Sequence, residues 1–227
     1  MPESYIKPIA EIETPFKEKF GIPRQSGRAE SACGKIIFYP EYSDINAFSG
    51  LENFSHIWII FDFNKAHKDS FSPTVRPPRL GGNKRMGVFA TRSPFRPNSL
   101  GLTVAKLVKV EKEDNRVAVY VKGIDILSGS PIYDIKPYIP YADSVENAMG
   151  GFSEDKKDYK LNVEIEEGIS KEIPSDIINL LSECLSEDPR PAYQSDEREY
   201  SMQIENYDFS FFVKENTVYV KKFRKLK

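Results

Sequence analysis

The sequence predicts a mainly β protein in which a small β-barrel domain is followed by a smaller α+β C-terminal domain. Two observations support this fold class. Residues 1–145 are dominated by short apolar and β-branched runs that Pro, Gly and Asn separate, with no helical patterns between them, and this favours an antiparallel barrel or sandwich. Residues 161–227 instead combine one helical repeat with strand-like segments. Closing the first sheet into a barrel removes its exposed edges.

Seven strands are predicted in the first domain, and each is bounded by turn-forming residues. They cover residues 5–12, 35–39, 56–63, 86–91, 102–110, 117–123 and 132–138. The connection at residues 68–85 is longer than the about 12 to 15 residues of an ordinary structureless loop, so we expect it to be functional or disordered.

The second domain is predicted to follow a polar, glycine-containing linker at residues 146–160. Its first segment, "LNVEIEE", alternates as a strand does. Ser175 is expected to cap a helix that Pro189 ends, with Cys184 packed on its apolar face. The segment "YDFSFFVKENTVYVKKF" predicts a hairpin that turns at residues 214–216.

Charge is segregated along the chain. The 32 Lys and Arg nearly balance the 34 Asp and Glu, and the formal net charge is −2, which is atypical of a generic basic nucleic-acid binder. Residues 143–176 contain ten acidic residues against four lysines, residues 221–227 contain five basic residues, and residues 70–110 contain no acid. This asymmetry favours an anionic partner that meets one face of the protein.

Several function classes are excluded by missing motifs. The chain has no dinucleotide-binding glycine pattern, no Walker loop and no nucleophile elbow. Its two cysteines, Cys33 and Cys184, are far apart and lack metal-ligand spacing, so neither a disulfide framework nor a metal site is expected. His56 and His67 have no recognisable partner pattern. With no apolar run near the about 20 residues of a membrane span, we expect a cytoplasmic protein without membrane contact.

The segment "GVFATRSPFRPNSLG" at residues 87–101 predicts a stiff, basic loop. Each proline fixes its own φ and restricts the residue before it, and Arg92 and Arg96 have no acidic neighbour in the segment. Three other segments combine turn-forming residues with isolated charges beside predicted strand ends, at residues 20–28, 76–87 and 123–140.

Together these segments resemble the TsaA/TrmO family of S-adenosylmethionine-dependent tRNA methyltransferases, which act on threonylcarbamoyladenosine beside the anticodon. The motifs that carry the resemblance are "KEKFGIPRQSG", "LENFSHIWIIF", "PTVRPPRLGGNKRMGVFATRSPFRPNSLGL", "DILSGSPIYDIKPYIPYAD" and "DPRPAY". The resemblance extends over nearly the full length. It implies a β-barrel catalytic domain, a smaller C-terminal domain and a homodimer that binds the cofactor near the subunit interface.

The resemblance also implies a set of cofactor contacts in four segments of the first domain. These residues are Pro23, Arg24, Gln25, Asn64, Lys65, Arg92, Leu102, Asp125, Leu127, Ser128, Gly129, Ser130, Pro131 and Ile132. One departure from the family pattern is expected at Asn64 and Lys65, where some members carry a histidine and a polar residue. The role of these two side chains therefore stays open.

The charges of S-adenosylmethionine suggest how these residues divide. An arginine fork matches its carboxylate, so we assign Arg24 or Arg92 to that group, Asp125 to the ribose or ammonium, and backbone groups of "LSGSP" to the adenine edge. A guanidinium would repel the sulfonium, so Arg96 is expected to face the nucleic acid. Methyl transfer depends mainly on alignment, and Asp134 or a water molecule is the expected acceptor of the nitrogen proton.

An anticodon loop offers unstacked bases and phosphates, which proteins bind with aromatic faces and basic side chains. The candidate RNA contacts are Arg79, Lys84, Arg85, Arg96, Lys136, Tyr138, Arg190 and Tyr193. Two other functions remain open from the sequence, namely a non-catalytic RNA-binding barrel and a small-molecule methyltransferase.

Overall fold

The computed structural model of the chain describes residues 5–77, 80, 84–156, 158–190 and 198–226. Within these residues it contains two main sheets, one in each predicted domain, and few helices. The predicted mainly β class is therefore confirmed.

The first sheet is a closed barrel. Six strands of the described residues form it in the order β1-β2-β7-β6-β3-β8, and each strand is antiparallel to its neighbours. A separate two-stranded hairpin pairs β4 with β5. The eight strands of this part of the chain are β1 (Ala10–Glu13), β2 (Cys33–Phe38), β3 (His56–Asp62), β4 (Thr74–Val75), β5 (Met86–Gly87), β6 (Leu100–Glu113), β7 (Arg116–Lys122) and β8 (Ser130–Pro137).

The second sheet has the order β10-β11-β12-β9, in which β9 runs parallel to β12. Its strands are β9 (Asn162–Ile165), β10 (Tyr200–Ile204), β11 (Tyr207–Lys214) and β12 (Thr217–Lys225). The helices of the described residues are α1 (Pro140–Asp143), α2 (Glu167–Glu172) and α3 (Ser175–Ser186). Short 3₁₀ turns lie at Pro40–Tyr42, Ile45–Phe48, Leu51–Asn53, Val88–Ala90 and Gly151–Lys156.

Three local predictions were wrong, and two of these errors have a backbone cause. The strand predicted at residues 86–91 ends at Gly87 and continues as a 3₁₀ turn, because the Thr91 N–H donates to the Val88 carbonyl at 3.1 Å. The first strand begins at Ala10 rather than at residue 5; Pro8 within the missing part has no N–H to give a ladder. The N-cap of α3 is Pro174, and Ser175 is already helical.

The buried apolar residues of the barrel and of the second sheet form one continuous core. The inward faces of the barrel strands bury Ile12, Ile36, Ile59 and Ile132. In the second domain, Cys184 on α3 is 2% exposed and burial raises the pKa of its thiol. This agrees with the packing role expected from its helical spacing.

The segment between β1 and β2 joins the barrel to the second sheet. The Glu205 N–H donates to the Pro15 carbonyl at 2.8 Å, and the Gln203 N–H donates to the Glu18 carboxylate at 3.0 Å. Gly21 has φ of +90°, and a Cβ there would lie 2.0 Å from the Met202 sulfur. The close fit of β10 against this segment therefore requires glycine at position 21.

Candidate active site

Three of the predicted loops meet at one rim of the barrel. The segment at residues 20–28 is hydrogen bonded to the loop at residues 123–130, because the Gly27 N–H donates to the Gly123 carbonyl at 2.8 Å. The loop at residues 88–99 reaches the same place, since the Arg92 guanidinium donates to the Gln25 side-chain carbonyl. The fold thus brings together segments that are about a hundred residues apart in sequence.

A carboxyl group and a guanidinium both lie at this rim. The Thr103 hydroxyl, on the inner face of β6, donates to Asp125 Oδ1 at 2.7 Å. Burial raises the pKa of Asp125, while the Thr103 hydrogen bond and the positive charge of Arg92 oppose that rise. Asp125 is partly buried and Arg92 is exposed. The rim therefore presents both signs of charge to a small ligand.

The loop at residues 123–130 is held by many hydrogen bonds. The Thr14 N–H and the Lys17 ammonium both donate to the Ser128 hydroxyl oxygen, at 3.2 and 3.3 Å. The Thr14 hydroxyl donates to the Ile126 carbonyl at 3.0 Å. The Asn64 side-chain amide donates to the Gly129 carbonyl at 3.2 Å. Asn64 thus contacts this loop through its side chain.

The backbone of "LSGSP" is partly engaged in hydrogen bonds within the fold. The N–H groups of Ser128 and Gly129 already donate to the carbonyls of Phe16 and Ile12, both at 2.8 Å. The Ser130 N–H donates to the Leu127 carbonyl at 3.3 Å, and Pro131 has no N–H. These three donors are used by the fold, so an adenine edge would have to contact the Leu127 N–H or the carbonyl oxygens of this stretch. Of the remaining members of this stretch, Leu127 is partly buried and Ile132 is fully buried in β8.

Arg24 lies at the joint between the domains. Its guanidinium donates to the carbonyl oxygens of Asp188 and Arg190, at 3.3 and 2.9 Å. Pro23 beside it is buried. Of the two arginines proposed for a ligand carboxylate, Arg24 is therefore engaged with the C-terminal domain, and Arg92 is the one exposed at the rim.

Arg190 is also part of this joint, which corrects its assignment to the RNA surface. Its guanidinium donates twice to the Asp188 carboxylate, at 2.8 and 3.0 Å, and the residue is only 8% exposed. Hydrogen bonding to Asp188 is the largest cause of its raised pKa. A guanidinium that is buried and already paired in this way is not available at the surface to bind a phosphate.

The outer wall of the barrel holds another group of predicted residues. Leu102 on β6 is 58% exposed, and both Leu102 and Asp134 are cross-strand partners of Ile60. The Asp134 carboxylate pairs with the Lys136 ammonium at 2.9 Å. Tyr138 packs near Trp58, with 5.9 Å between ring centroids. Asp134 is therefore on the outer wall with Leu102, whereas Asp125 contacts Thr103 on the inner face.

The remaining candidates lie in or near the loop at residues 88–99. Arg96 differs from the expectation, because its guanidinium turns inward and donates to the carbonyls of Thr91 and Val88, at 2.7 and 3.3 Å. Lys84 and Arg85 are exposed. Lys65 is also exposed, and its carbonyl accepts a hydrogen bond from the Lys19 ammonium. Arg79 and Tyr193 lie outside the described residues.

A pair formed by His67 and Asp62 near the rim was missed in the sequence analysis. His67 Nε2 lies 2.8 Å from Asp62 Oδ1, and Asp62 is 7% exposed at the end of β3. The sequence contains no signal for this pair, because a turn of the loop brings the two side chains together. No group of three or more potential metal ligands occurs in the described parts of the chain. Nor do those parts contain a helix long and apolar enough to cross a membrane.

Two family models match the chain. The model of the tRNA-methyltransferase O N-terminal domain matches residues 11–144. The model of the TrmO C-terminal domain matches residues 157–226. The two matches together include the barrel and the second sheet.

Proteins of known name and structure are also similar over most of their length. The tRNA (adenine(37)-N6)-methyltransferase of Escherichia coli (strain K12) is 40% identical over 195 residues, which cover 83% of this chain and 83% of that protein. A putative S-adenosylmethionine-dependent methyltransferase, RcsF of Pseudomonas aeruginosa, is 40% identical over 212 residues, or 89% of this chain and 90% of that protein. The crystal structure of TrmO from P. aeruginosa matches with a TM-score of 0.80 at 31% identity, and covers 99% of this chain and 98% of that one.

Proposed function

The chain belongs to the TrmO family of tRNA methyltransferases, and on this premise we propose that it methylates the exocyclic nitrogen of threonylcarbamoyladenosine next to the anticodon. It is an S-adenosylmethionine-dependent tRNA methyltransferase, as its relatives of similar length are named. The choice of the threonylcarbamoyl adenosine rests on the five sequence motifs. The observation that carries the proposal is the pairing of Arg92 with Gln25 beside Asp125.

The charges at the rim fit S-adenosylmethionine. Its carboxylate would accept hydrogen bonds from Arg92, which is exposed and positively charged. Asp125 would bind the ammonium or the ribose hydroxyls, since its carboxyl group is held by Thr103. When bound, the cofactor supplies a methyl carbon that is activated by the sulfonium. Arg92 can therefore bind the carboxylate only if the sulfonium lies away from the guanidinium, toward Asp125.

The protein contributes mainly alignment of the two reactants. Holding a nitrogen in line with the methyl carbon can supply about 7 to 11 kcal/mol, and the hydrogen-bonded loop at residues 123–130 gives the rigidity that this requires. The acceptor nitrogen also loses a proton. Asp134 and a water molecule remain the two candidate acceptors, and Asp134 would first have to release Lys136.

We propose a homodimer that covers the outer wall of β3 and β6. Leu102 is 58% exposed there, and the neighbouring Trp58 and Ile60 are only partly buried. These three side chains form an exposed apolar strip beside the Asp134–Lys136 pair, and exposed apolar patches rimmed by polar residues are typical of interfaces. If Leu102 contacts the cofactor, the partner subunit would shield that contact from water. The division into domains at residues 1–145 and 161–227, and a cytoplasmic location, are part of the same proposal.

A non-catalytic RNA-binding barrel is less consistent with the rim. A surface that only binds phosphates gains nothing from a carboxyl group at the same rim as Arg92, because the ionised form of Asp125 repels phosphate. The alternative of a small-molecule methyltransferase leaves the acid-free stretch of residues 70–110 without a partner.

The proposal is tested by methyl transfer with the purified full chain. The protein is incubated with methyl-labelled S-adenosylmethionine and with tRNA that carries or lacks the threonylcarbamoyl group, and the nucleosides are analysed by mass spectrometry. We expect label only in the threonylcarbamoyl nucleoside. Label in unmodified adenosine would refute threonylcarbamoyladenosine as the acceptor. No label in either tRNA would refute the assignment as a tRNA methyltransferase. Sedimentation velocity should give a dimer, and a monomer at micromolar concentration would refute the interface.

A further inference from the structure

Three phenylalanine side chains are exposed beside the candidate active site. Phe71, Phe89 and Phe95 are 57%, 72% and 40% exposed. The rings of Phe71 and Phe89 are stacked, with centroids 6.3 Å apart and planes inclined by 27°. We call these three side chains the aromatic platform. Buried packing does not explain them, since solvent reaches a large part of each ring.

Cations lie over two of these rings. The Arg96 guanidinium is 5.8 Å from the Phe89 ring centroid, and the Lys68 ammonium is 4.1 Å from the Phe95 ring centroid. Such pairs of cation and aromatic face are also the elements with which proteins bind single-stranded nucleic acid. The platform thus combines flat apolar faces with positive charge.

The backbone beneath the platform is fixed. The Val88 N–H donates to the Pro73 carbonyl at 2.9 Å, which ties the start of the 88–99 loop to the β4 side of the hairpin. Val88 itself is 1% exposed and anchors this loop in the protein. Arg96 holds the loop from within by donating to the Thr91 carbonyl at 2.7 Å. The rings are therefore presented on a preformed frame, which lowers the entropy cost of binding.

The platform lies in the acid-free part of the chain. No Asp or Glu occurs at residues 70–110, whereas eight basic residues do. These are Arg76, Arg79, Lys84, Arg85, Arg92, Arg96, Lys106 and Lys109. The same loop that carries Phe89 and Phe95 carries Arg92, which reaches Gln25 at the rim. A ligand on the platform would therefore be anionic and adjacent to the site of methyl transfer.

We propose that Phe71, Phe89 and Phe95 stack the unpaired bases that flank the methylated nucleotide in a single-stranded RNA loop. This inference rests on the proposed function and adds to it the residues that hold the neighbouring bases. Lys84 and Arg85, both exposed, bind the phosphates of the same loop. Unstacked bases are available in an RNA loop and not in a duplex, so the platform selects loops over helices.

A second copy of the chain is a poorer occupant of the platform. A two-fold interface places the same patch on both subunits, so it would bring the basic residues of one copy against those of the other. The outer wall of Trp58, Ile60 and Leu102 suits a dimer contact better, because its neighbouring charges, Asp134 and Lys136, already pair with each other. RNA is therefore the occupant that the charge favours.

The test compares the full chain with its Phe89→Ala and Phe71→Ala variants. The probe is an RNA hairpin with the sequence of an anticodon stem and loop, and the affinity is measured by fluorescence anisotropy. Removing one stacking ring should weaken binding by about 5- to 150-fold, and Phe89→Trp should restore most of it. A blunt RNA duplex of the same length should bind the wild type and Phe89→Ala with equal affinity. The matched control is Phe54→Ala, because Phe54 is 38% exposed and precedes β3 at the barrel end away from Asn64.

Two further measurements separate stacking from other roles. Phe89→Ala should leave unchanged the slope of the logarithm of the RNA association constant against the logarithm of the salt concentration. Lys84→Ala should make this slope shallower by about 1, because only the lysine binds a phosphate and so releases a counterion from the RNA. S-adenosylmethionine binding, measured by calorimetry, should be the same in Phe89→Ala and wild type.

Wild-type affinity for the hairpin in both alanine variants would overturn the proposal that the aromatic platform stacks RNA bases. Conversion of a dimer to a monomer by Phe89→Ala would assign the platform to the second copy. Neither result depends on whether the wild type transfers a methyl group, which tests the proposed function separately.

Discussion

Replacing Arg92 with alanine removes the guanidinium that donates to Gln25 and lies near Asp125 at the barrel rim. A hydrogen bond to a charged group contributes about 1.5 to 3 kcal/mol. Because Arg92 is exposed, the lower part of that range applies, at about 1.5 to 2 kcal/mol. Since about 1.4 kcal/mol is a factor of ten, we expect S-adenosylmethionine affinity to fall by about 10- to 30-fold.

The assay is calorimetric titration of the full chain with S-adenosylmethionine, in parallel with anisotropy of a labelled tRNA. Affinity for tRNA should change by less than about threefold, because Arg92 is assigned to the cofactor carboxylate and its removal would therefore leave the phosphate contacts in place. Arg116→Ala is the matched control, since Arg116 is an exposed arginine at the start of β7, at the barrel end away from the rim. Equal losses for both ligands, or an unchanged cofactor affinity, would refute the assignment of Arg92 to the cofactor carboxylate.

Three other changes test the structure around this site. Arg24→Ala should lower the free energy of unfolding by about 1.5 to 3 kcal/mol in urea titrations, because it removes the hydrogen bonds to the Asp188 and Arg190 carbonyls. A fall in cofactor affinity without loss of stability would contradict the role of Arg24 in joining the two domains. Gly101→Ala should cost about 1 to 3 kcal/mol by calorimetry, because its Cβ would lie 2.2 Å from the Phe61 ring, whereas Gly87→Ala meets nothing within 4 Å. Burial raises the pKa of Asp125, so the folded state retains a proton that the unfolded chain releases, and the free energy of unfolding falls as pH rises from the ordinary carboxyl pKa through the raised one. Asp125→Asn should lack this fall when unfolding is measured across acidic pH. The same pH profile in the wild type and the variant would contradict the raised pKa.

The barrel was predictable because its signals are local. The apolar and β-branched runs of β3, β6 and β7 and the turns between them are visible in the sequence, and the order of short strands without helices favours a barrel or sandwich. The 3₁₀ turn at Val88–Ala90 was not predictable by this means, since "GVFAT" has strand-like composition. Its conformation depends on a hydrogen bond to Pro73, which is distant in sequence.

The candidate site was predictable in its segments and not in its side-chain roles. Motif resemblance identified the loops that contain Gln25, Arg92 and Asp125, which the fold does bring together. It could not reveal that Arg24 and Arg190 serve the domain joint, because that depends on how the C-terminal domain meets the barrel. Exposure is likewise a property of the folded chain, so the aromatic platform could not be distinguished from core phenylalanines in the sequence.

The most direct measurement is a crystal structure of the full chain with S-adenosylhomocysteine, the product that remains after methyl transfer. We expect its carboxylate within about 3.2 Å of the Arg92 guanidinium, and the molecule to lie against the loop that contains Asp125. An ordered molecule elsewhere on the protein, with Arg92 still bound only to Gln25, would contradict the placement of the methyl donor at this rim.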